Sequence, residues 1–373
     1  MTAQYRRASA DEYEDLIDFA NFVFQINFAE LLPKLYSGHP ELAQYHYLAL
    51  EEGKIKGLVA SIPLDFSIDG ETVRAFGIGT VSVHPEARGK GYMKELMNRA
   101  IADAKADGAD LMCLGGQRQR YEYLGFSKAC VQRNYTLTPN NRRHWERIST
   151  KGIDFLPLSE SCEYAESCWQ LHQMLPIHAK RNIENFAEIC RSWSCEAWVI
   201  RKNRQFLGYC ILNADCTAAA ELLLSDWQEV LPVLFALSEK AGKDLSVTPF
   251  SWQKELNRAL SLVSEGGAVS DGEMVRFLNF PRMLKLLLQR KARQSGLSDG
   301  SLVLEIPGEG KYLAAAGNGV VSIEETTKPA DWSLSAVEMQ NRIISVSNLW
   351  QYDSLLENSW FPLPFELPNH DMV

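Results

Sequence analysis

The stretch from Phe76 to Phe126, FGIGTVSVHPEARGKGYMKELMNRAIADAKADGADLMCLGGQRQRYEYLGF, carries the residue types and spacing from which a chemistry can be argued. At its centre Arg88-Gly89-Lys90-Gly91 makes a tight turn that feeds a helix. Glycines let a backbone approach a ligand closely, and the free N–H groups at a helix start point outward and favour anions. Phosphate is the natural guest. A triphosphate loop of the form G-x-x-x-x-G-K-[ST] matches poorly, because Lys90 is followed by Gly91 and Tyr92 and no hydroxyl is placed for magnesium. A dinucleotide fingerprint needs G-x-G-x-x-G straight after a strand and an acid about 20 residues on. That also matches poorly, since Lys94 occupies the third glycine position and Asp107 and Asp110 fall at a helix end and a strand start.

Such a turn needs a strand before it and a helix after it. Gly77 to Val83 is β-branched and glycine-rich, and Pro85 ends it. Beyond the turn Met93, Leu96, Met97, Ala100, Ile101 and Ala104 follow the i, i+3, i+4, i+7 spacing that lays one apolar stripe on a sheet. Asp107-Gly108 supplies the stop. Asp110 to Leu114 then reads as a buried strand, Gly115-Gly116-Gln117 as a loop, and Tyr121 to Phe126 as a short aromatic helix. An R-G-x-G turn by itself describes any strand, turn and amphipathic helix.

Two motifs at this spacing say more. V-x-V-x-P-x-x-R-G-x-G, a helix, then Tyr121-Glu122-Tyr123-Leu124-Gly125-Phe126, resembles the acetyl-CoA-binding core of the GNAT N-acetyltransferases. In that family the strand before the turn splays from its neighbour and pairs with the pantetheine arm, while the turn amides hold the pyrophosphate. The resemblance implies that Val81, Ser82 and Val83 face the pantetheine and the thioester. It gives the pyrophosphate to Arg88 and to the amides of Gly89, Lys90, Gly91, Tyr92, Met93 and Lys94. The loop with Gly116 and Gln117 would run beside the coenzyme A chain, and Tyr121 would protonate the departing thiolate. The family's R-x-x-G-x-[GA] pattern is broken at Met93, which leaves the amide nest intact. Acetyl-CoA is thus the implied cosubstrate, with no metal.

Bulk properties set wide bounds. A chain of 373 residues points to two or three domains, and 46% apolar with 23% charged residues is an ordinary globular balance. A net charge of −9 argues against nonspecific nucleic-acid binding and suits cationic or amine substrates. The start, MTAQYRRASADEYEDL, lacks the apolar core of a signal peptide, and there is no run of about 18 apolar residues. The expectation is a cytoplasmic protein without a membrane partner. Eight scattered cysteines and seven histidines form no metal-ligand spacing, so the cysteines read as buried thiols acting as small apolar residues. His84, beside Pro85, is a weak candidate base.

Along the chain, residues 1–150 read as the acetyltransferase domain. A strand Tyr5 to Ala8 precedes a helix Ala10 to Phe24, and Phe28 to Tyr36 should lie over the acceptor cleft, with Phe24, Phe28 and Tyr36 as its lining or as core. A hairpin follows across Glu52-Gly53, another tight turn at Asp69-Gly70 precedes the strand at Phe76, and a strand Cys130 to Thr138 is expected to close the domain. Residues 151–280 repeat the same order, but Leu224-Ser225-Asp226-Trp227 stands where the anion turn would be. This half reads as a degenerate GNAT-like domain. Residues 281–373 hold a basic helix from Lys285 to Arg293, closely spaced strands of an antiparallel sheet, and Ala330-Asp331-Trp332-Ser333-Leu334-Ser335 before a helix from Ala336 to Ile344. That segment resembles a sterol carrier protein-like domain. The expected fold is α/β (α+β), with tandem GNAT-type domains, the second degenerate, and a C-terminal α+β sterol carrier protein-like domain. This is the order of the enhanced-intracellular-survival acetyltransferases.

Acetyl transfer to an amine requires a deprotonated amine, a polarised thioester carbonyl and a protonated thiolate. Many GNAT enzymes set a glutamate on the strand before the turn, but Gly77 to Val83 contains no carboxylate. In the resembling branch the terminal carboxylate reaches back into the first domain's site. Here that is the carboxylate of Val373, at the end of a proline-rich, apolar tail from Trp360, with Asp371 and Glu366 as fallback bases. A frayed terminus is the bland alternative. The implied acceptor is a small cationic amine or a lysine side chain, and the architecture leaves room for a homo-oligomer. The competing class is a noncatalytic acyl-CoA or lipid-binding sensor, which would have no need of a proton donor at Tyr121.

Overall fold

The computed structural model describes residues 3–145 and 147–373. The first half runs β1 (Gln4–Arg7), α1 (Tyr13–Phe24), α2 (Phe28–Leu31), α3 (Pro33–Tyr36), β2 (His46–Glu51), β3 (Lys54–Pro63), β4 (Phe66–Ile68), β5 (Glu71–Val73) and β6 (Ala75–Val83). After the glycine turn come α4 (Tyr92–Ala106), β7 (Leu111–Leu114), α5 (Arg118–Tyr121), β8 (Ser127–Lys128) and β9 (Val131–Leu137). The expected turns form where two successive residues take positive φ: Glu52 and Gly53 at 50° and 75°, Asp69 and Gly70 at 50° and 87°. In α4 the buried residues are Tyr92, Leu96, Met97, Ala100, Ile101 and Ala104, so the stripe read from the sequence faces the sheet except at Met93, which is half-buried while Tyr92 is buried beside it.

The second half repeats the pattern with β10 (Ile153–Pro157), α6 (Ala165–Gln173), β11 (Ile177–Ala179), α7 (Phe186–Arg191), β12 (Cys195–Lys202), β13 (Gln205–Asn213) and β14 (Ala218–Leu224). It continues through α8 (Val230–Ala241), β15 (Leu245–Val247), α9 (Lys254–Val263), β16 (Gly266–Asp271) and β17 (Met274–Phe277). One sheet has the order β1-β2-β3-β6-β7-β17-β8, the other β10-β12-β13-β14-β15-β9-β16. In each, one pair is parallel, β6 with β7 and β14 with β15.

The two sheets therefore match strand for strand, and they exchange one strand. A strand does form over residues 131–137, but it does not close the first sheet as the sequence reading expected. It crosses to the second sheet and pairs with β15 and β16. Its place beside β7 is taken by β17, in register from Met274↔Leu114 to Phe277↔Leu111. Cys130, with φ 63°, redirects the chain after the two-residue β8. The apolar Met274, Val275 and Phe277 are buried in the first sheet, where burial contributes roughly 1.5–3 kcal/mol per side chain.

The third part packs α10 (Phe280–Ser295) against β18 (Gly300–Ile306), β19 (Gly310–Gly317) and β20 (Val320–Glu325), followed by β21 (Trp332–Ser333), α11 (Ala336–Ile344) and α12 (Leu355–Trp360). The antiparallel order holds for β18, β19 and β20, but β21 adds to β18 in parallel, which the sequence reading did not include. Gln340 on α11 ties this part to the first sheet, its side-chain oxygen accepting from the Phe277 amide and its nitrogen donating to the Gly125 carbonyl at 3.1 Å. Among the described residues, no helix is long and apolar enough to cross a membrane.

The strand exchange predicts that residues 1–150 alone cannot complete their sheet. Such a fragment should lose near-ultraviolet circular dichroism and bind a hydrophobic dye, and co-expression with residues 151–373 should restore the native signal. A cooperative, dye-free fragment would mean that β17 is dispensable.

Candidate functional site

The glycine turn begins where β6 leaves its neighbours. On one side β6 pairs with β7 from Ala75↔Leu111 to Ile78↔Leu114 and no further. On the other it stays paired with β3 out to Val83↔Gly57. From Gly79 to Val83 one edge of β6 is therefore open, a row of backbone donors and acceptors available to an extended ligand. The pairing with β3 slips between Leu58 and Ala60, and Thr80 takes a φ of 45°. Such a bulge bends a strand and re-aims its side chains. The side chains of Val81 and Val83 pack toward α4, and Ser82 donates to the Thr80 carbonyl at 3.1 Å, so these three residues present backbone to the open edge.

At the turn Gly89 and Gly91 have φ of 79° and 83°, which L side chains rarely adopt, and a methyl on either would meet nothing within 4 Å. The amides of Gly89, Gly91, Tyr92, Met93 and Lys94 find no acceptor among the described residues. These are amides that the sequence reading assigned to an anion nest. The side chains of Lys90 and Tyr92 turn away to Glu51, at 2.6 Å for Lys90, and the Lys90 amide, expected among the anion-binding amides, donates instead to the Ala87 carbonyl at 3.4 Å. Met93, the position that departs from the small-residue pattern, lies half-buried against the core on the α4 side.

Tyr121 ends α5 and is 8% exposed. Its ring lies over the backbone of Gly116, where an added methyl would come within 2.6 Å of it. Burial pushes its hydroxyl above the usual phenol range, so it stays protonated at neutral pH. Gln117, expected beside the cofactor, is exposed and opens α5, its carbonyl accepting from the Arg120 amide.

The C-terminal tail is docked, not frayed. Trp360, Phe361, Leu363, Phe365, Leu367 and Met372 are buried, and burial worth about 1.5–3 kcal/mol per side chain offsets the ~1–2 kcal/mol of backbone ordering at each. Val131 donates to the Phe365 carbonyl at 2.9 Å and Leu363 to the Ile343 carbonyl at 2.7 Å. The chain ends against β6. A methyl built on Gly77 would lie 2.6 Å from a Val373 methyl, and one on Gly79 would lie 2.8 Å from the terminal carbonyl carbon and 3.1 Å from its oxygen. The two glycines thus form a groove that only the absence of side chains leaves open, and the terminal carboxylate occupies it beside the Thr80 bulge.

Neither fallback base reaches this place. Both oxygens of Asp371 are engaged by Arg181, at 2.7 and 2.8 Å; burial opposes its ionisation, but the guanidinium outweighs it and holds the carboxyl below the usual range. Glu366 accepts from Ser251 at 2.8 and 2.7 Å, and burial raises it. His84 accepts from the Glu86 amide and stacks on Phe22. Of the expected acceptor lining, Phe28 and Tyr36 are core residues and Phe24, 39% exposed, is at the rim. The Tyr36 hydroxyl is 3.0 Å from His46 Nε2 and 3.1 Å from Thr80 Oγ1. His46 Nδ1 donates to the Leu42 carbonyl and burial pulls the ring down to about 4, so Nε2 is an acceptor and Tyr36 donates to it. This chain from His46 to the bulge was not legible in the sequence, where the three residues lie far apart.

The second half keeps the splayed strands but not the nest. Asp226 opens the segment after β14 and its own carboxylate accepts from the Gln228 amide at 2.9 Å, which puts negative charge where an anion would have to bind.

A splayed parallel pair, an amide nest at the following helix and this strand order define a GNAT acetyltransferase fold. Residues 4–129 match the family model described as an acetyltransferase (GNAT) domain. Across nearly its whole length the chain is also similar to a GCN5-related N-acetyltransferase from Anabaena variabilis, at 16% identity and TM-score 0.69, covering 98% of this chain and 99% of that one. A GCN5-related N-acetyltransferase from Kribbella flavida matches at 13% identity and TM-score 0.69 with the same coverage. Eis1 from Mycobacterium abscessus matches at 14% identity and TM-score 0.67, covering 97% of this chain and 99% of that one. At these identities the likeness is one of fold. No match was found among curated proteins.

The groove generates a direct expectation. Gly79→Ala should push the terminus off β6 and lower kcat by about 10-fold or more, with acetyl-CoA affinity unchanged in a direct binding assay. An unaltered kcat in the Gly79→Ala protein would show that the fit of Val373 has no bearing on turnover.

Proposed function

We propose that the protein transfers the acetyl group of acetyl-CoA to a primary amine by direct attack, with the Val373 carboxylate as general base and Tyr121 as general acid. The carrying observation is the contact of the terminal carboxyl with Gly79, on the strand that lacks a carboxylate of its own. The pantetheine would pair along the open edge from Gly79 to Val83, and the pyrophosphate would take the nest amides with Arg88. The amine nitrogen attacks the thioester carbon while the Val83 amide polarises the carbonyl. Its surplus proton passes to the Val373 carboxylate. As the C–S bond breaks, Tyr121 gives its proton to the thiolate, which a buried, protonated phenol can do.

The division into a catalytic domain (1–150), a degenerate GNAT-like domain (151–280) and a sterol carrier protein-like domain (281–373) belongs to the same reading, as does a cytoplasmic location. The domain reading has support in the matching strand order of the two sheets and in the α+β third part. A net charge of −9 favours a cationic acceptor, either a small polyamine-like molecule or a lysine side chain.

The test is coenzyme A release with a panel of polyamines, aminoglycosides and lysine peptides, run on the full chain and on chains lacking Val373 or extended by a tag. Both alterations should reduce kcat on any accepted amine by about 10²–10⁴-fold, the usual yield of a positioned acid or base; equal kinetics would remove Val373 from the mechanism, and tight acetyl-CoA binding without turnover on any amine would favour a sensor. Tyr121→Phe should lower kcat by about 10²-fold with acetyl-CoA binding retained. If binding is lost instead, the ring serves packing alone.

A further inference from the structure

The last residues of the chain are gripped by two buried cations from opposite halves of the molecule. Lys34, on α3 of the first half, donates to the carbonyls of His370, Asp371 and Met372 at 3.1, 2.8 and 2.8 Å. All three of its ammonium hydrogens are spent on the end of the tail. Arg181 lies two residues beyond β11, whose pairing with β4 ties the second half to the first, and Trp169 holds the Arg181 carbonyl at 2.8 Å. Its guanidinium faces two carboxylates. Nε and Nη2 donate to Asp371 at 2.7 and 2.8 Å, and Nη1 and Nη2 donate to Glu221 of β14 at 3.0 and 2.9 Å. Tyr209 donates to Glu221 as well, and His172 Nδ1 stands 3.8 Å from it. The side chains of Arg181, Glu221 and Asp371 are each 3% exposed or less.

Two properties of this cluster exceed what packing requires. Apolar side chains of similar volume would hold a tail as firmly as a buried ion network does, whereas a misplaced charge is strongly penalised. The network therefore selects one register of the tail. Asp371 is also only two residues from the terminal carboxyl, so fixing it at Arg181 leaves a very short segment between the clamp and the Gly79 groove.

The geometry points to Arg181 as a positioning residue for acetyl transfer: oriented by Glu221 of the degenerate half, it holds Asp371 and so sets where the Val373 carboxylate meets β6. The second half, which has no anion nest of its own, would thereby serve the first half's site. This inference rests on the reading of Val373 as the base.

The test is a set of cycles with Arg181→Lys and Asp371→Asn, each made in the full chain and in a chain lacking Val373, with kcat and acetyl-CoA Kd measured for all. In the full chain each substitution should lower kcat by roughly 10- to 100-fold, the scale of a misplacement near 1 Å, and leave the Kd within about 2-fold. In the chain lacking Val373 the same substitutions should change kcat by less than about 2-fold, because losses are not additive among residues that act as a unit. Equal losses in both backgrounds would make the cluster merely structural and overturn the proposal. Wild-type kcat in the substituted full chains, with a low kcat on deletion, would overturn it while leaving the Val373 reading in place. No loss on deletion would overturn that reading and this inference together. Asp371→Asn decides the matter if Arg181→Lys does not fold.

Discussion

The contact between the last residue and the two glycines of β6 is the constraint on which the remaining architecture depends. Under the proposed role of Val373 as base, a strand that carries no acid takes one from another part of the chain, and that group needs room. Gly77 and Gly79 provide that room, since a methyl on either would intrude on Val373. The terminus must then cross from the third part of the molecule to the first without slack. Its path is fixed by burial of the tail aromatics, by backbone pairing to β9 and α11, and by the Lys34 and Arg181 clamps.

The exchange of β9 and β17 also bears on the path of the tail. Each sheet is completed by a strand from the other half, so the two halves cannot drift apart, and the tail runs between them with Phe365 bonded to β9. Energetically the clamp is a specificity device more than a source of stability. Removing one partner of such a buried pair costs about 3–5 kcal/mol, although the intact pair itself adds little against its desolvation. A tail displaced by even one residue would incur that cost.

Much of the first sheet was legible in the sequence because its signals are local. The apolar stripe of α4, the paired positive-φ turns at Glu52-Gly53 and Asp69-Gly70, and the glycine nest each depend on a few adjacent residues. The repeat of strand order in the second half was legible for the same reason. What was not legible depends on distant partners. Met274-Val275-Arg276-Phe277 gives no hint that it pairs with β7 and not with its own half, and a strand over 131–137 looks the same whichever sheet it joins. Arg181, Glu221 and Lys34 are ordinary charged residues until the fold removes water from them. The glycines of β6 were visible as glycines, but their purpose is set by a residue almost 300 positions away.

The most direct measurement is the single-turnover rate of acetyl transfer by a semisynthetic protein in which the Val373 carboxylate is replaced by a carboxamide. That change preserves the shape of the terminus and its fit against Gly79 while removing the basic oxygen. The account predicts normal acetyl-CoA binding with a chemical step slowed by about 10²-fold or more. A carboxamide protein that transfers acetyl at the natural rate would contradict it.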